Sequence, residues 1–386
     1  MPLTFLHTAD LHLGKTFNFV EGDAGAGLRQ KRLDAVTRLA DLAAEHHAAF
    51  VLIAGDTFDS PTVDDRVLIQ ACERFKQFAV PVYILPGNHD PDAGPGSGSV
   101  WRRKAFVDHQ PDNLHVLADP APVRVDGHDA VILPAPLRYK SVAGDPTAHL
   151  TADLGRDLPG VTDRTFRIGL AHGSVVDFGA NPDGVPGNLA PDRADRAGID
   201  YLALGDWHGQ KIVNPRTAYA GAPEPTGFRD NGAGSALVVT LGAHRTPPAI
   251  HPLPVTTTRW LRKEAELTTP DDLSELAAWF DQLDRPTDTL VRLDTRGGLP
   301  LTHLQTLEAL LDTQSHRLLH LRRRGPGVHA QPTEDEIDAL APDGYLREAV
   351  AELRAAARAE GDDARAAADA LHLLHRLQAE TTTPRA

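Results

Sequence analysis

The stretch "AFVLIAGD", residues 49–56, decides the fold because it reads as a buried strand that ends in a glycine-bearing turn. Four further apolar runs have the same form: "LTFLHTAD" (3–10), "VPVYILPGN" (80–88), "FRIGLAHG" (166–173) and "IDYLALGD" (199–206). Amphipathic stretches separate the first three runs along the chain. The sequence therefore predicts the alternating strands and helices of an α/β domain with buried strands.

Polar side chains that suit metal binding follow each of these predicted strands. Open α/β sheets place their sites beyond the carboxyl ends of the strands, so these residues can converge in one crevice. Oxygen and imidazole ligands without thiolates favour Mn²⁺, Mg²⁺, Fe or Zn²⁺. Two ligand sets that share one carboxylate would hold two ions about 3.5 to 4 Å apart, which suits in-line displacement at phosphorus. The residues are Asp10, His12, Asp56, Asp59, Asn88, His89, Asp90, His172, Asp206 and His208.

Length and composition limit the classes of protein to which this chain can belong. A length of 386 residues predicts one large domain with one or two smaller ones. The formal net charge of -14 argues against a surface that binds nucleic acid throughout, although a local basic strip stays compatible with it. The single cysteine, Cys72, agrees with a reducing compartment. Because we find neither a long apolar run nor a signal peptide in the sequence, we expect a cytoplasmic protein without a membrane partner.

The ordered motifs "HTADLHLG" (7–14), "AGDTFD" (54–59), "LPGNHD" (85–90), "LAHGS" (170–174) and "ALGDWHG" (203–209) resemble those of calcineurin-like metallophosphoesterases. The segments "FLHTADLHLGK", "VLIAGDTFDS" and "VYILPGNHDP" most resemble the sequences of SbcD-type DNA repair nucleases, including the YhaO-like branch. This resemblance covers about the first 230 residues. It implies a metallophosphoesterase β-sandwich flanked by helices and hydrolysis of phosphoesters with two divalent ions, for which we expect Mn²⁺ before Mg²⁺, Fe or Zn²⁺.

The resemblance also implies a ligand set for each ion. Asp56 would bridge the two ions and so fix their separation, while a neutral amide ligand would limit the build-up of negative charge. With Asp56, the first ion would be held by Asp10, His12 and His208, and the second ion by Asn88 and His172.

Two further residues of the motifs are implied to act in catalysis without binding metal. His89 would lie outside the ions as the acid that protonates the leaving oxygen. Asp59 would be the carboxylate that orients the ring of His89 and fixes its tautomer.

One motif departs from the family pattern. The family usually has Gly-His-x-His at the last strand end, whereas this sequence has Gly205, Asp206, Trp207 and His208. Asp206 would either replace the missing histidine at the second ion or point away and leave that ion loosely held. As a replacement it would make the site harder and more negative, which favours Mn²⁺ or Mg²⁺.

A proline-rich passage predicts a boundary near residue 245, which gives a nuclease domain at 1–245, a small α/β cap at 246–330 and a helical segment at 331–386. The small unit resembles the cap of SbcD-type nucleases, which helps to position DNA. Its predicted elements are strand 259–267, helix 271–283, strand 289–294, helix 302–312 and strand 317–323.

The segment after the cap predicts two amphipathic helices. They would either fold back on the cap or dock on a partner. In the SbcD-type family this region binds the coiled coil of an SbcC-like ATPase, and the family also suggests a homodimer.

Basic residues in two places are weak candidates for DNA contacts. Arg102, Arg103 and Lys104 follow a loop rich in Gly, Pro and Ser, where the alternative is a solvated start of a helix. Arg322 and Arg323 lie in the predicted cap, where the alternative is charge that protects an edge strand from aggregation.

The function expected from these observations is a two-metal phosphodiesterase, most simply a DNA nuclease that works with an ATPase partner. The first rival is a small-molecule phosphodiesterase or phosphatase that uses the same centre. The second rival is a partner-binding scaffold in which Asp206 has weakened catalysis.

Overall fold

The structure, a computed structural model, divides into two compact units, Met1–Thr257 and Thr258–Ala386. The sequence predicts a boundary near residue 245, but Ala249–Pro254 pairs with the strand before it and so belongs to the first unit. This segment is an edge strand that is largely exposed and contains prolines, so its composition resembles that of a linker. The described residues are 2–20, 22–175, 188–229, 231–331, 333, 335, 345–358 and 361–382.

Two six-stranded sheets form the first unit, in the orders β12-β11-β1-β2-β3-β4 and β5-β6-β7-β8-β10-β9. The strands are β1 (Leu3–Thr8), β2 (Val51–Ile53), β3 (Val82–Ile84), β4 (Leu114–Val116), β5 (Val123–Arg124), β6 (Ala130–Ala135), β7 (Phe166–His172), β8 (Tyr201–Gly205), β9 (Lys211–Asn214), β10 (Thr217–Tyr219), β11 (Ser235–Leu241) and β12 (Ala249–Pro254). The five predicted strands are β1, β2, β3, β7 and β8, and each pairs in parallel with a neighbour. This confirms the predicted α/β architecture.

Apolar side chains of the two sheets form a shared core. The rings of Phe5 and Phe50 stack at a centroid distance of 4.9 Å, and Tyr201 of the second sheet meets Phe5 edge-on at 5.7 Å. Helices α1 (Gly22–Glu45), α2 (Asp65–Phe75) and α3 (Lys104–Val107) contribute to a second core with the first sheet. Helix α4 (Arg193–Arg196) packs in a third core with the second sheet. The first unit is therefore a sandwich of two sheets flanked by helices.

The second unit contains a parallel three-stranded sheet in the order β13-β14-β15. A capping box between Thr269 and Asp272, with Pro270 in the first turn, begins its first helix. Its elements are β13 (Arg259–Leu267), α5 (Pro270–Asp281), β14 (Thr289–Leu299), α6 (Leu301–Arg317) and β15 (His320–Ala330), in the predicted order.

Two C-terminal helices, α7 (Tyr345–Ala357) and α8 (Asp362–Thr382), complete the second unit. Val350, Ala368 and Leu371 lie in the same apolar core as Phe280 and Leu293. The described residues show the helices folded back on this sheet, and docking of this segment on a partner stays a prediction. None of the described helices combines the length and hydropathy that a bilayer span requires.

We expect Leu371→Ala to destabilise the protein and Leu373→Ala to leave it almost unchanged. Leu371 is fully buried, whereas its near neighbour Leu373 is 47% exposed. Removing the buried side chain should lower the free energy of unfolding by about 2–5 kcal/mol, while the exposed change should stay within about 0.5 kcal/mol. Urea unfolding of the full chain measures both. Equal effects would contradict the packing of α8 on the sheet.

Candidate metal centre

The backbone at the predicted ligands adopts a conformation that side chains usually avoid. Nine described non-glycine residues have positive φ angles between 43° and 101°. Left-handed backbone costs free energy for residues other than glycine and concentrates at functional sites. Five of the nine are predicted ligands: Asp10, His12, Asp56, Asp206 and His208. The strained turns therefore coincide with the strand ends that sequence analysis singled out.

A buried arginine holds the first of these turns. The guanidinium of Arg32, on α1, donates to the carbonyl of Leu11 at 2.6 and 2.9 Å and to that of Glu224 at 3.0 Å. Burial lowers the pKa of Arg32 to about 10. Sequence reasoning missed this residue, although its position between Leu28 and Val36 on the apolar face of α1 was a signal.

The first ligand set comes together as predicted. Asp10, His12, Asp56 and His208 each offer one atom within 4.8 Å of the others. The Nε2 atoms of His12 and His208 lie 3.0 Å apart, and Nε2 of His12 lies 3.7 Å from Oδ2 of Asp56. Thr226 Oγ1 lies 2.9 Å from Nδ1 of His208, so a hydrogen bond there leaves Nε2 facing the cluster.

The second predicted set gathers around His172. Its Nδ1 donates to the carbonyl of Ala54 at 2.7 Å, which directs Nε2 into the site. Nε2 lies 3.0 Å from Oδ1 of Asn88, 3.4 Å from Oδ1 of Asp56 and 3.8 Å from Oδ1 of Asp206. The two oxygens of Asp56 therefore face different sets, with Oδ1 towards His172 and Oδ2 towards His12.

The atoms of the second set suit a cation. The side-chain oxygen of Asn88 faces Nε2 of His172 at 3.0 Å and the two oxygens of Asp56 at 3.0 and 3.1 Å. Exchanging the amide oxygen and nitrogen would convert these contacts into hydrogen bonds, whereas a cation would satisfy the oxygen as it stands. The residues present therefore fit a divalent metal site.

Burial shifts the pKa values of the carboxyl groups at the centre. Burial, with the neighbouring charge of Asp56, raises the pKa of Asp10 to about 8 and that of Asp90 to about 7. Burial raises the pKa of Asp56, but the charge of His172 and its hydrogen bond to Asp56, with smaller contributions from neighbouring groups, together outweigh burial and lower the pKa. Burial lowers the pKa of His172, but the charge of Asp56 and its hydrogen bond to His172, with the charges of other nearby carboxylates, together raise it well above its usual value. These two residues therefore stabilise each other's charged forms.

Asp90 has a structural role that sequence analysis did not assign. Its Oδ1 accepts from the backbone N–H of Gly87 at 2.7 Å, and its Oδ2 accepts from that of Phe58 at 2.9 Å. These bonds join the turn after β3 to the turn after β2. Asp90 thereby fixes the position of Asn88 relative to Asp56.

His89 lies beside the first set, but its orienting partner differs from the expected one. Nδ1 of His89 lies 2.7 Å from the backbone carbonyl of Asp59 and donates to it. The Asp59 carboxylate instead contacts Nδ1 of His12 and Nζ of Lys15, each at 3.1 Å. Burial raises the pKa of Asp59, but His12 and Lys15 outweigh burial and lower it to about 2. The short side chain of Asp59 extends from this turn to His12. The prediction that the Asp59 carboxylate orients the ring of His89 is therefore wrong, because the backbone carbonyl of Asp59 makes that contact.

Asp206 stands at the edge of the second set. Its backbone N–H donates to Oδ1 of Asp10 at 3.0 Å. One carboxylate oxygen accepts from Ser174 Oγ at 2.6 Å, and the other lies 3.8 Å from Nε2 of His172. The side chain thus turns towards the second set, and ligation by Asp206 stays a prediction.

A family model for calcineurin-like phosphoesterases matches residues 3–210. The chain belongs to this family. The strand ends described above carry its candidate site for divalent metals.

Relatives of this metallophosphoesterase include an uncharacterized metallophosphoesterase, YhaO, of Bacillus subtilis (strain 168), 25% identical over 241 residues. The match covers 60% of this chain and 55% of YhaO, so the chain spans about half the length of that curated relative. The structure of TT1561 of Thermus thermophilus covers 66% of this chain and 100% of its own, at 10% identity and a TM-score of 0.42. The match to the structure of purple acid phosphatase PPD1 of yellow lupin covers 68% of this chain and 53% of that protein, at 14% identity and a TM-score of 0.41.

The predicted DNA contacts of this metallophosphoesterase are engaged within the protein. Pairs between exposed side chains stabilise a fold little, but the carboxylate of Asp92, which pairs with Arg102, is buried. Burial, with the neighbouring charges of Arg324 and Arg292, lowers the pKa of Arg322. The other four pair with acidic side chains: Arg102 with Asp92, Arg103 with Asp65, Lys104 with Asp108 and Arg323 with Glu308. DNA binding by these residues stays a prediction.

We expect Gly205→Ala to weaken metal binding. A Cβ at Gly205 would lie 2.0 Å from the carbonyl oxygen of Ala54 and 2.8 Å from Nδ1 of His172, so it would break their hydrogen bond. Losing such an orienting contact typically weakens metal affinity about 10- to 100-fold. Titration calorimetry with Mn²⁺ measures the change. Gly242→Ala is the control because a Cβ there meets nothing within 4 Å. Equal Mn²⁺ affinities in the two variants would contradict the role of the close packing at Gly205.

Proposed function

We propose that this metallophosphoesterase is a two-metal phosphodiesterase that cleaves DNA. The observation that carries the proposal is the position of Asp56, whose two oxygens face two different ligand sets. A carboxylate in this position can bridge two ions. Mn²⁺ is the proposed metal because the donors are carboxylate oxygens, an amide and imidazoles, with Mg²⁺, Fe and Zn²⁺ as alternatives.

The ligand roles follow from the two sets. When bound, the ions would supply a nucleophile from water near neutral pH and neutralise charge on the phosphoryl oxygens. The carbonyl of Ala54 accepts from Nδ1 of His172 and so holds this ring in the tautomer that ligation requires, while Thr226 fixes the orientation of the His208 ring. The first set is Asp10, His12, Asp56 and His208, and the second is Asp56, Asn88, His172 and Asp206.

His89 is the proposed acid for the leaving oxygen. Because Nδ1 donates to the carbonyl of Asp59, Nε2 is the ring atom that can pass a proton to the substrate. Its ring lies edge-on to that of His12 at a centroid distance of 4.7 Å. His89 therefore stands beside the first ligand set without belonging to it.

DNA is the proposed substrate on the strength of the sequence motifs. The amino-acid sequences of these motifs resemble those of SbcD-type nucleases. We extend the proposal to a coiled-coil ATPase of the SbcC type as partner, to a homodimer and to a cytoplasmic location. With the boundary that the structure has, the proposed domain roles are nuclease at 1–257, cap at 258–330 and partner binding at 331–386.

A small-molecule phosphodiesterase or phosphatase is the second candidate. The observation in its favour is that four of the five proposed DNA-contact residues already have acidic partners. An enzyme for small esters needs no basic track for a DNA backbone. Its cleavage chemistry would use the same ligand sets.

We expect purified protein in Mn²⁺ to shorten end-labelled linear duplex DNA and His89→Ala to slow this reaction on the order of 10²- to 10⁴-fold, the usual contribution of a general acid. A sequencing gel measures the rates. His46→Ala is the control because His46 follows α1, away from the strand ends.

Other outcomes separate the candidates. Hydrolysis of an aryl phosphodiester without DNA cleavage would favour the small-molecule enzyme. Weak hydrolysis of both substrates that is indifferent to His89→Ala, together with tight binding to an ATPase, would favour the scaffold.

We expect wild-type protein to bind two Mn²⁺ per chain and Asp206→Ala to weaken one of the two sites by more than about tenfold, because a ligand of the second set is removed. Titration calorimetry measures both sites. Asp163→Ala, at a side chain 97% exposed, is the control. Two unchanged affinities in Asp206→Ala would show that its carboxylate serves Ser174 alone.

A further inference from the structure

We propose that Trp207, Phe228 and Arg229 form a subsite for a nucleobase and its backbone beside the metal centre, so that the substrate is a nucleotide phosphodiester. This inference rests on the proposed function and narrows it. It starts from a residue that the metal site leaves unexplained, the tryptophan between Asp206 and His208.

Cavities open on both sides of Asp206. One cavity of about 610 Å³ is lined by Trp207 and His208, and another of about 210 Å³ is lined by Asn88 and His172. Ser174 and Asp206 line both cavities. A phosphorus atom held at these ligands would thus have space on either side. A phosphodiester carries a group on each side, whereas a phosphomonoester carries one, so the pair of cavities favours a diester.

The larger cavity has the lining that a planar base requires. Trp207 and Phe228 provide aromatic surface from two separate turns, and Asn231 provides amide donors and acceptors. Aromatic side chains bind bases of any sequence by stacking, because every base has a π-face. The volume lies within the range of pockets for small organic ligands, about 300–1,000 Å³.

The turn that carries Trp207 is held in place before any ligand binds. Nδ2 of Asn231 donates to the carbonyl of Trp207 at 3.3 Å. A Cβ at Gly209 would lie 1.9 Å from the carbonyl oxygen of Asn231 and 2.9 Å from Nε1 of Trp207, so glycine permits this close packing. Nζ of Lys211 lies 5.7 Å from the centre of the indole ring. A fixed platform loses little entropy when a base stacks on it.

Charge at the two cavities suits a polyanion more than a neutral ester. Arg229 is exposed and lines the larger cavity, and Lys140 is exposed and lines the smaller one. A nucleotide chain that crosses the centre would bring a phosphate to each side of the scissile bond. The geometry thus points to an oligonucleotide strand.

The test compares two substrates with the same leaving group: the p-nitrophenyl ester of thymidine 5′-monophosphate and ethyl p-nitrophenyl phosphate. Wild type in Mn²⁺ should prefer the nucleoside ester in kcat/KM. Trp207→Leu should reduce this preference on the order of 10- to 100-fold, mainly through the KM of the nucleoside ester, since stacking is lost.

Trp279→Leu is the matched control because Trp279 also carries a lysine, with Lys263 Nζ 5.5 Å from its ring centre, but belongs to the second unit. Its substrate preference should equal that of wild type. An unchanged preference in Trp207→Leu, or no preference in wild type, would overturn the subsite.

A binding measurement keeps the two proposals separate. Thymidine 5′-monophosphate should quench tryptophan fluorescence in wild type and in Trp279→Leu, and quench it much less in Trp207→Leu. If neither ester is hydrolysed but this pattern holds, the proposed catalysis fails and the subsite stands. If both esters are hydrolysed and quenching is equal in all three proteins, the subsite fails and the catalysis stands.

Discussion

The burial of several carboxyl groups beneath converging strand ends is the constraint on which the first unit depends. Asp10, Asp56 and Asp90 are all almost completely buried, and taking charge out of water carries a large free-energy penalty. Each is compensated differently: Asp90 by two backbone N–H groups, Asp56 by His172, and Asp10 by the N–H of Asp206. The strained turns persist because these contacts determine them from several directions.

Much of the fold could be predicted because buried parallel strands appear as unbroken apolar runs. β1, β2, β3, β7 and β8 were all visible in this way, and the order of elements in the second unit was also predicted. Short or edge strands have weaker patterns. β12 contains two prolines and alternates between exposed and half-buried residues, so local sequence could not distinguish it from a linker.

The candidate site could also be predicted only in part from the sequence. Residues of the two ligand sets could be named because each follows its own strand within a few positions. Their orienting partners come from distant parts of the chain and left no local pattern, as with Thr226 beside His208. Asp59 shows the limit, because its proximity to the histidines could be predicted but not which of its atoms faces which ring. Metal identity, substrate and partner depend on interactions beyond the chain itself.

The shared position of Asp56 has a thermodynamic consequence. A cation on the His12 side draws on the same carboxylate that faces His172, so the affinities of the two positions are coupled. Coupling of this kind is reciprocal, and occupation of either position changes the affinity of the other by the same factor. The centre therefore has no independent dissociation constant for each position, and its metal content responds to concentration as a property of the pair.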